Sequence, residues 1–459
     1  MHIPFLNQTV EQRRDLILHG SIVRTVFFLA VPTLMLGLVQ SLMPLMDGLF
    51  INNAAGTLVA SAVTFCDPVI NMMTALAQGL SVAAMALIGQ LNGQGRFEES
   101  RRTATQIVVT GSLLGCLSAP LLLGAGALIS GRINPEISGN VFLYLSLYAF
   151  VLPFSFMESI YNGIKNANGQ PEAPFVRMVI MLALKVFFNW LFIFRFRLGI
   201  VGCVLSSLLA NVLITGWMFR ELFAGKSADR LQLAGFAFDG LTVRRIAEVG
   251  FPAMLTSVML NIGFFLINFE TQGYGPVVLN GQGIAGNISS VCFILPGSFS
   301  SAVTTMVSMN IGAGNPGKAR RSCIAGCLTS ALTAVAVIAV IVPLSPRLTV
   351  LFTRRAEVLA IANRALHIYT YSVVGFGVCM TIQGAFIGLG RTKVPLVLGL
   401  LRIWLLRYVF ILATERFLQY YAVFWGNLFS NYTAALIALF LVSRAKWVSV
   451  IPKSCAGAR

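Results

Sequence analysis

The chain has 459 residues, of which 57% are hydrophobic and only 11% are charged, and its formal net charge is +17. Soluble domains carry roughly 25% charged residues, so this composition excludes an ordinary soluble protein and indicates an integral membrane protein. The length allows about a dozen membrane-spanning helices joined by short loops. The first twenty residues are polar and lack a small-residue cleavage site, which predicts that the first span is retained.

Twelve apolar stretches follow one another along the chain and predict an all-α polytopic membrane protein. Most of the 33 Lys and Arg residues fall on the loops that share a side with the N-terminus. By the positive-inside rule both termini are cytoplasmic, and the basic charge reflects topology, not nucleic-acid binding. The predicted spans cover residues 23–50, 58–87, 104–129, 141–161, 175–194, 199–219, 246–269, 278–309, 323–342, 359–386, 396–412 and 420–442.

The first span contains one acidic residue, Asp47, within an otherwise apolar run. A charge at the centre of a membrane helix costs about 2.5–3.5 kcal/mol on insertion scales, and such a residue generally has a functional role or a partner. Pro32 and Pro44 lie in the same run and predict that this helix bends. Asp47 is therefore the first candidate functional residue.

Two loop motifs recur about 220 residues apart. GQLNGQGRFEESRR (89–102), after the second span, aligns with VSMNIGAGNPGKARR (307–321), after the eighth. NGIKNANGQPEAP (162–174), after the fourth span, aligns with QGAFIGLGRTKVP (383–395), after the tenth. Such a period is the sequence signature of an internal repeat.

The first spans of the two halves also open alike, with Pro32 matching Pro252. Together these matches predict twelve transmembrane helices in two six-helix lobes related by internal duplication, which is an alternating-access architecture. The predicted N-terminal lobe covers residues 1–222, the cytoplasmic linker 223–243, and the C-terminal lobe with its cytoplasmic tail 244–459.

With these motifs in this order, the chain resembles members of the multidrug and toxic compound extrusion (MATE) family. The resemblance rests on Pro32 and Asp47, on the glycine-rich loops QLNGQGR and MNIGAGN, and on the run NWLFIF…LGIVGCVLSS. It implies the export of a small molecule driven by inward flow of protons or sodium ions. It implies a secondary active transporter, with no enzymatic activity and no cofactor.

The resemblance also implies a cation site in the N-terminal lobe. Asp47 matches the family's acidic position in the first span, Asn189 the polar position of the fifth, and Ser207 the hydroxyl position of the sixth. One turn before Asn189, where sodium-binding relatives usually carry asparagine, this chain has Lys185. An ammonium has no lone pair, so it cannot ligate sodium and would occupy the place of the cation. We therefore expect proton coupling, with sodium as the alternative.

Depth in the membrane groups the same residues independently of the resemblance. With a cytoplasmic N-terminus, Asp47, Asn189 and Ser207 lie in the outer halves of their spans, and Asp67 lies at the depth of Lys185. Structural alternatives stay open for each. In these alternatives an ion pair between Asp47 and Lys185 only fixes the register of the helices, and Asp67 only caps or kinks a helix. Asn189 and Ser207 only hydrogen-bond one helix to another.

The expected mechanism follows from these charges. At the outer surface Asp47 takes up a proton and loses its attraction to Lys185, which allows the first helix to bend at Pro32 or Pro44 and expel the substrate. Opening to the inside returns the proton to the cytoplasm.

The substrate is expected to bind in a central cleft with aromatic and polar walls. Arg402 is expected to lie on a different helix face from Arg407 and to extend to the cytoplasmic surface. The positive charges of Lys185 and Arg407 offset the negative charges of Asp47 and Asp67. The sequence is therefore as consistent with an amphiphilic neutral, zwitterionic or weakly anionic substrate as with a cation. The predicted cleft residues are Arg407, Tyr148, Phe154, Asn261, Phe265, Tyr371 and Gln383.

Three other classes of protein share part of this pattern. A lipid-linked saccharide flippase has the same broad architecture, but we expect it to carry a more strongly basic cavity. The sequence shows neither the filter motif of a channel nor a histidine at depth for an intramembrane enzyme. We expect a monomer in the bacterial inner membrane. The tenth span has no acid, unlike that of NorM-like relatives, which favours the DinF-like branch.

Overall fold

The structure, a computed structural model, folds into fifteen α-helices and two π-helical segments over the residues it describes. It describes residues 9–54, 57–131, 135–224, 230–233, 236–272, 274–352 and 355–452, with their side chains except at positions 44–54, 57–62, 64, 65, 67, 68, 135–137, 265, 268, 269, 272, 276 and 279.

The elements are long, as a membrane requires. The π-helical segments are Trp190–Arg195 and Leu401–Tyr408. The α-helices are α1 Val10–His19, α2 Ile22–Ala54, α3 Thr57–Gly93, α4 Phe97–Ser130, α5 Pro135–Tyr148, α6 Leu152–Ala167, α7 Glu172–Asn189, α8 Gly199–Ala224, α9 Gly240–Gln272, α10 Pro276–Gly312, α11 Pro316–Val350, α12 Ala356–Gly388, α13 Lys393–Leu400, α14 Val409–Leu418 and α15 Tyr421–Ser443.

Eleven helical stretches of the described chain are long and apolar enough to cross a membrane. A further pair, Ser138–Tyr148 and Leu152–Ala167, meets the same criterion together although it is bent by 52°. Pro153 stands in the first turn of α6, where its missing N–H is tolerated but an uninterrupted helix from α5 is not favoured. With the pair counted as one span the total is the predicted twelve, and the predicted all-α membrane fold is confirmed.

Several helices begin earlier than the predicted spans. The ninth span was expected to begin at residue 323, but α11 begins at Pro316. The third span was expected to begin at residue 104, but α4 begins at Phe97 and includes much of the charged loop. Glu98 and Glu99 occupy its first turn, where acidic side chains offset the positive end of the helix dipole. The polar sequence therefore forms a helix end that projects beyond the apolar stretch.

Contacts divide the chain into two compact units. The first comprises Met1–Arg14 and Met35–Met254, and the second comprises Asp15–Leu34 and Leu255–Arg459. The divisions therefore fall inside α1 and inside the long helices α2 and α9, whereas the sequence predicts a division in the linker. The predicted lobe boundaries stay a prediction.

Packing explains why α2 and α9 are each divided between the two units. In the second unit, Leu29 and Ala30 of α2 are buried in one cluster with Phe299 of α10. In the first unit, the start of α9 lies against α3, so that a Cβ on Gly250 would lie 3.1 Å from the carbonyl oxygen of Gly79. Each half-helix therefore belongs to the unit in which its buried face packs.

The repeated loop glycines have the same conformation in both copies. Gly95, Gly169, Gly314 and Gly390 all have φ between 73° and 78°, the left-handed region that favours glycine after a helix. The residue after each glycine donates its N–H to the carbonyl five positions earlier, at 2.8–3.0 Å: Arg96 to Leu91, Gln170 to Lys165, Asn315 to Asn310 and Arg391 to Phe386. The sequence repeat is therefore a repeat of four helix C-caps.

A second pair of repeated glycines permits close helix packing. A Cβ on Gly163 of α6 would lie 2.6 Å from the carbonyl oxygen of Ser81 on α3, and one on Gly384 of α12 would lie closer still to that of Ser300 on α10. Small residues at such positions let membrane helices approach closely. The matching positions therefore make matching contacts, one in each unit.

Candidate functional site

Several predicted site residues fall at positions with no described side chain. Asp47 lies within α2 and Asp67 within α3, but their side chains are outside the described residues, as are those of Pro44 and Phe265. The geometry of the first unit is therefore built from the groups on α6, α7 and α8.

Asn189 is fully buried at the end of α7 and binds α8. The hydroxyl of Ser206 donates to its Oδ1 at 2.6 Å and also lies 2.5 Å from the carbonyl oxygen of Gly202. The predicted hydroxyl was that of Ser207, one position further along. Ser207 is buried too, but it is its carbonyl that is engaged, accepting a 2.8 Å bond from Asn211 Nδ2. The hydroxyl that meets Asn189 is therefore that of Ser206.

The π-helical segment Trp190–Arg195 begins directly after Asn189. At its C-terminal end the N–H of Phe196 donates to the carbonyl of Leu191, five residues earlier, at 3.0 Å. Such segments are rare and occur frequently at functional sites, because the wider turn redirects the side chains beside it. The hydrophobic periodicity of the sequence did not predict this π-helical segment.

Lys185 lies one turn before Asn189 and is half-buried. Its ammonium interacts electrostatically with the carboxylate of Glu158 on α6. The sequence grouped Lys185 with Asp47 and Asp67 and did not include Glu158 in the site. A carboxylate from α6 therefore joins the group of candidate residues in the first unit.

A second charged cluster joins α6, α7 and α8 in the first unit. The carboxylate of Glu221 pairs with Arg177, lies 2.7 Å from Lys165 Nζ, and accepts from the hydroxyl of Tyr161 at 3.3 Å. The Arg177 guanidinium lies 4.7 Å from the centre of the Tyr161 ring and 5.0 Å from that of Trp217, within cation–π range. This cluster ties three helices together through one carboxylate.

The second unit contains a cavity of about 770 Å³, within the range of small-molecule binding sites. It lies among α9, α10, α12, α15 and the second π-helical segment. Aromatic side chains, amides and two arginines line it: Phe264, Phe293, Tyr369, Phe376, Gln282, Asn287, Asn427, Asn431, Arg402 and Arg407.

The two arginines correct an expectation from the sequence. In an α-helix of 3.6 residues per turn, positions five apart point in different directions. Leu401–Tyr408 is π-helical, and there residues five apart are one turn apart. Arg402 and Arg407 are therefore both buried, 4% and 6% exposed, and both line the cavity. Arg402 does not extend to the cytoplasmic surface.

The other predicted cleft residues are dispersed, and among those with described side chains only Arg407 lines this cavity. Tyr148 packs in a ring contact with Tyr144 at 5.8 Å. Gln383 is buried and donates to Cys379 Sγ at 3.3 Å, and Asn261 is exposed and donates to the Ser257 carbonyl at 2.9 Å. Tyr371 is 46% exposed, and Phe154 and Pro32 are half-buried. Their roles in a cleft stay predictions.

Sequence reasoning missed the polar face of α15. Asn431 Nδ2 donates to Asn427 Oδ1 at 2.5 Å and to Ser372 Oγ at 3.2 Å, and Ser430 lies on the same side of the cavity. The signal was present, because positions 427, 430 and 431 follow helical spacing in an otherwise apolar helix.

Comparison with known proteins agrees with this architecture. The MatE family model matches residues 32–191 and again residues 252–412, once in each half of the chain. A multidrug resistance protein, MdtK, from Cronobacter sakazakii is 27% identical over 317 residues, which are 66% of this chain and 68% of that protein. The human multidrug and toxin extrusion protein 1 is 24% identical over 81% of this chain, and the match spans 65% of the human protein's length.

Among solved structures, an outward-facing multidrug resistance MATE family transporter of the MOP superfamily has the same fold, with a TM-score of 0.88. The match covers 92% of this chain and 96% of that one at 22% identity.

The fold and the sites define a polytopic membrane transporter of the secondary type, and not an enzyme. The family model matches well over half of the chain, in both copies of the repeat, and the chain therefore belongs to the MatE family. The resemblance seen in the sequence is confirmed.

Proposed function

We propose that the protein is a proton-coupled antiporter that exports a small amphiphilic organic compound by alternating access. Its family, and the multidrug resistance and extrusion relatives, support efflux of drugs or toxins as its role. The bacterial relative supports the inner membrane as its location, and the distribution of Lys and Arg supports cytoplasmic termini. We further propose that the protein belongs to the DinF-like branch, since the span 359–386 has no acidic residue. We also propose that it is a monomer.

The observation that carries proton coupling is the placement of an ammonium, that of Lys185, half-buried within α7 one turn before the buried Asn189 and in electrostatic range of the Glu158 carboxylate on α6. Ionisable groups at such depth are costly and are retained where they have a function. Sodium coupling would call for oxygen ligands at the position of Lys185, and an ammonium offers none. A proton, in contrast, can bind a carboxylate beside Lys185 and remove the attraction between them.

In the proposed cycle Asp47 carries the proton and Lys185 is the fixed counter-charge, with Asp67 as an additional acid of the same site. Glu158 holds Lys185 while Asp47 is protonated. Asn189, bonded to Ser206, aligns α7 with α8 beside this group. Proton binding shifts the balance between two states of the transporter, and α2 bends at Pro32 or Pro44 as it does so.

The test is export from proteoliposomes driven by an imposed pH gradient, with a panel of fluorescent amphiphiles. Asp47→Asn is expected to abolish pH-driven export, and Glu158→Gln to reduce it, while both remain folded by size-exclusion chromatography. Glu98→Gln, at an exposed position of α4, is the matched control and keeps wild-type export. Full pH-driven export by Asp47→Asn would exclude this site as the proton carrier.

Lys185→Asn tests the role of the lysine separately. Asparagine provides an oxygen ligand where the ammonium stood, so we expect the variant to gain sodium-dependent export that the wild type lacks. A variant whose export is unchanged in rate and ion dependence would mean that Lys185 only fixes helix packing.

A further inference from the structure

The cavity of the second unit is an electropositive site, with two arginines and no acidic residue among its described lining residues. Arg402 and Arg407 both line it, and arginine stays protonated in proteins. The whole segment 255–459 contains only three acidic residues, Glu270, Glu357 and Glu415. All three are described, and none of them lines the cavity.

One of these three acids has a partner outside the cavity. Glu270, near the end of α9, accepts a 2.9 Å hydrogen bond from the hydroxyl of Tyr408 and lies by a different depression, with Glu415 and Arg416. Within the described chain, no carboxylate lies within salt-bridge distance of Arg402 or Arg407, and the two guanidinium groups repel each other. Buried charges in proteins are normally paired, so this pair is unusual.

Three hydrogen-bond donors that line the cavity are also unsatisfied among the described residues. Over the ranges that the structure describes, the Nε–H groups of Arg402 and Arg407 and the hydroxyl of Ser289 are buried and have no hydrogen-bond partner. A buried donor left without an acceptor costs about 1–3 kcal/mol, and more when it is charged. The π-helical geometry turns both arginines into the same cavity, where one anion can accept from both.

Aromatic rings provide the rest of the site. The Arg402 guanidinium lies 5.0 Å from the centre of the Phe376 ring, and that of Arg407 lies 5.9 Å from the centre of Phe264. Phe293 and Phe376 pack at 4.7 Å and form an apolar wall. The cavity therefore combines a doubly cationic centre with flat apolar surface and a volume of about 770 Å³.

We propose that this cavity binds the anionic group, a carboxylate, sulfonate or phosphate, of an amphiphilic aromatic substrate, with Arg402 and Arg407 as its ligands. The aromatic body of the substrate lies against Phe293 and Phe376, and the amides of Asn287 and Asn427 complete the polar wall. This inference rests on the proposed export function and names its substrate class as anionic, not cationic.

The test is binding of anilinonaphthalene sulfonate, an aromatic anion, to the full chain in phosphatidylcholine nanodiscs, measured by fluorescence above empty nanodiscs. Arg402→Gln and Arg407→Gln are each expected to weaken binding at least about tenfold, since charge-assisted hydrogen bonds are lost. Arg402→Lys and Arg407→Lys keep the charge and recover part of the affinity. Arg444→Gln, at an exposed position on α15's end, is the matched control and binds as the wild type does.

A second variant avoids removing a buried charge. Asn287 is exposed to the cavity, so Asn287→Asp adds a carboxylate there without a packing change. We expect it to weaken sulfonate binding and strengthen binding of the cation ethidium. Unchanged binding of both probes by Asn287→Asp, or wild-type sulfonate affinity in folded Arg402→Gln and Arg407→Gln, would overturn the proposal.

Lipid is the other source of a phosphate group. If phosphatidylglycerol in the nanodisc competes with the sulfonate, and the competition disappears in Arg407→Gln, the site is a lipid site and the substrate proposal is wrong. Export separates the two proposals. If the wild type does not bind the sulfonate but still exports ethidium in response to a pH gradient, the anion site alone is rejected. If the wild type binds the sulfonate but shows no pH-driven export of any probe, the antiporter alone is rejected.

Discussion

Replacing Glu221 by glutamine removes the one carboxylate that α6, α7 and α8 share. Lys165 and Arg177, which pair with it, are only 13% and 7% exposed, so the substitution leaves two largely buried cations facing each other. Breaking a buried ion pair from one side costs about 3–5 kcal/mol. Because Glu221 itself is 30% exposed, we take the lower end, about 3 kcal/mol.

Glu98→Gln is the matched control for this prediction. Glu98 also faces two basic residues, Arg101 at 3.3 Å and Arg102 at 3.5 Å, but it is 62% exposed. Exposed pairs of this kind contribute about 0–1 kcal/mol. Because the same substitution is made at both positions, the comparison separates the effect of burial on stability from the effect of the number of ion pairs.

The assay is thermal unfolding of both variants in one detergent, followed by tryptophan fluorescence. A loss of about 3 kcal/mol corresponds to about 6–12 °C in Tm for a unit of this size, while the control shifts by about 4 °C or less. The double variant Glu221→Gln with Arg177→Gln is expected to be less destabilised than the sum of the two single variants. Equal shifts for Glu221→Gln and Glu98→Gln would refute the assignment of the cluster as a buried tie between helices.

Four further substitutions test the fold, with Gly124→Ala as the control for the glycine variants. Gly163→Ala and Gly384→Ala each force two helices apart and are expected to lower Tm clearly, whereas Gly124→Ala, which meets no atom within 4 Å, is neutral or slightly stabilising; equal effects at all three would contradict the close packing. Gly95→Ala places an L-residue at φ 75° and is expected to cost about 1–2 kcal/mol, measured against the same Gly124→Ala control. Hydrogen bonds from Thr242 and from the Leu241 N–H hold the pKa of Asp239 below its usual value, so its contribution to stability is present at neutral pH and is lost as pH falls through that lowered pKa. Asp239→Ala is therefore expected to lower stability at neutral pH and to match the wild type in acid; a difference that grows in acid would show the opposite linkage.

The sequence was sufficient for the features that depend on composition and on glycine. The apolar stretches located the twelve spans, and the repeated glycines located caps whose left-handed backbone only glycine adopts easily. The break between α5 and α6 was hidden because the apolar run continues through it, and only Pro153 marked it. The early start of α4 was hidden because a helix end outside the membrane is polar.

The candidate sites were harder to predict because they depend on helix geometry that the residue pattern does not encode. Hydrophobic periodicity assumes 3.6 residues per turn, so it separated Arg402 from Arg407, which the π-helical segment brings together. The family resemblance pointed to Ser207, whereas the hydroxyl that bonds Asn189 is that of the adjacent Ser206. The interaction of Lys185 with Glu158 joins two spans, and its distance along the chain gave no indication of it.

Proton counterflow tests the central claim most directly. Right-side-out proteoliposomes in sodium-free buffer are loaded with a transported amphiphile and a pH-sensitive dye, with no pH gradient imposed. We predict that efflux of the amphiphile acidifies the interior in the wild type and does not do so with Asp47→Asn. Efflux that leaves the interior pH unchanged, or acidification that persists in Asp47→Asn, would contradict a proton antiporter built on this site.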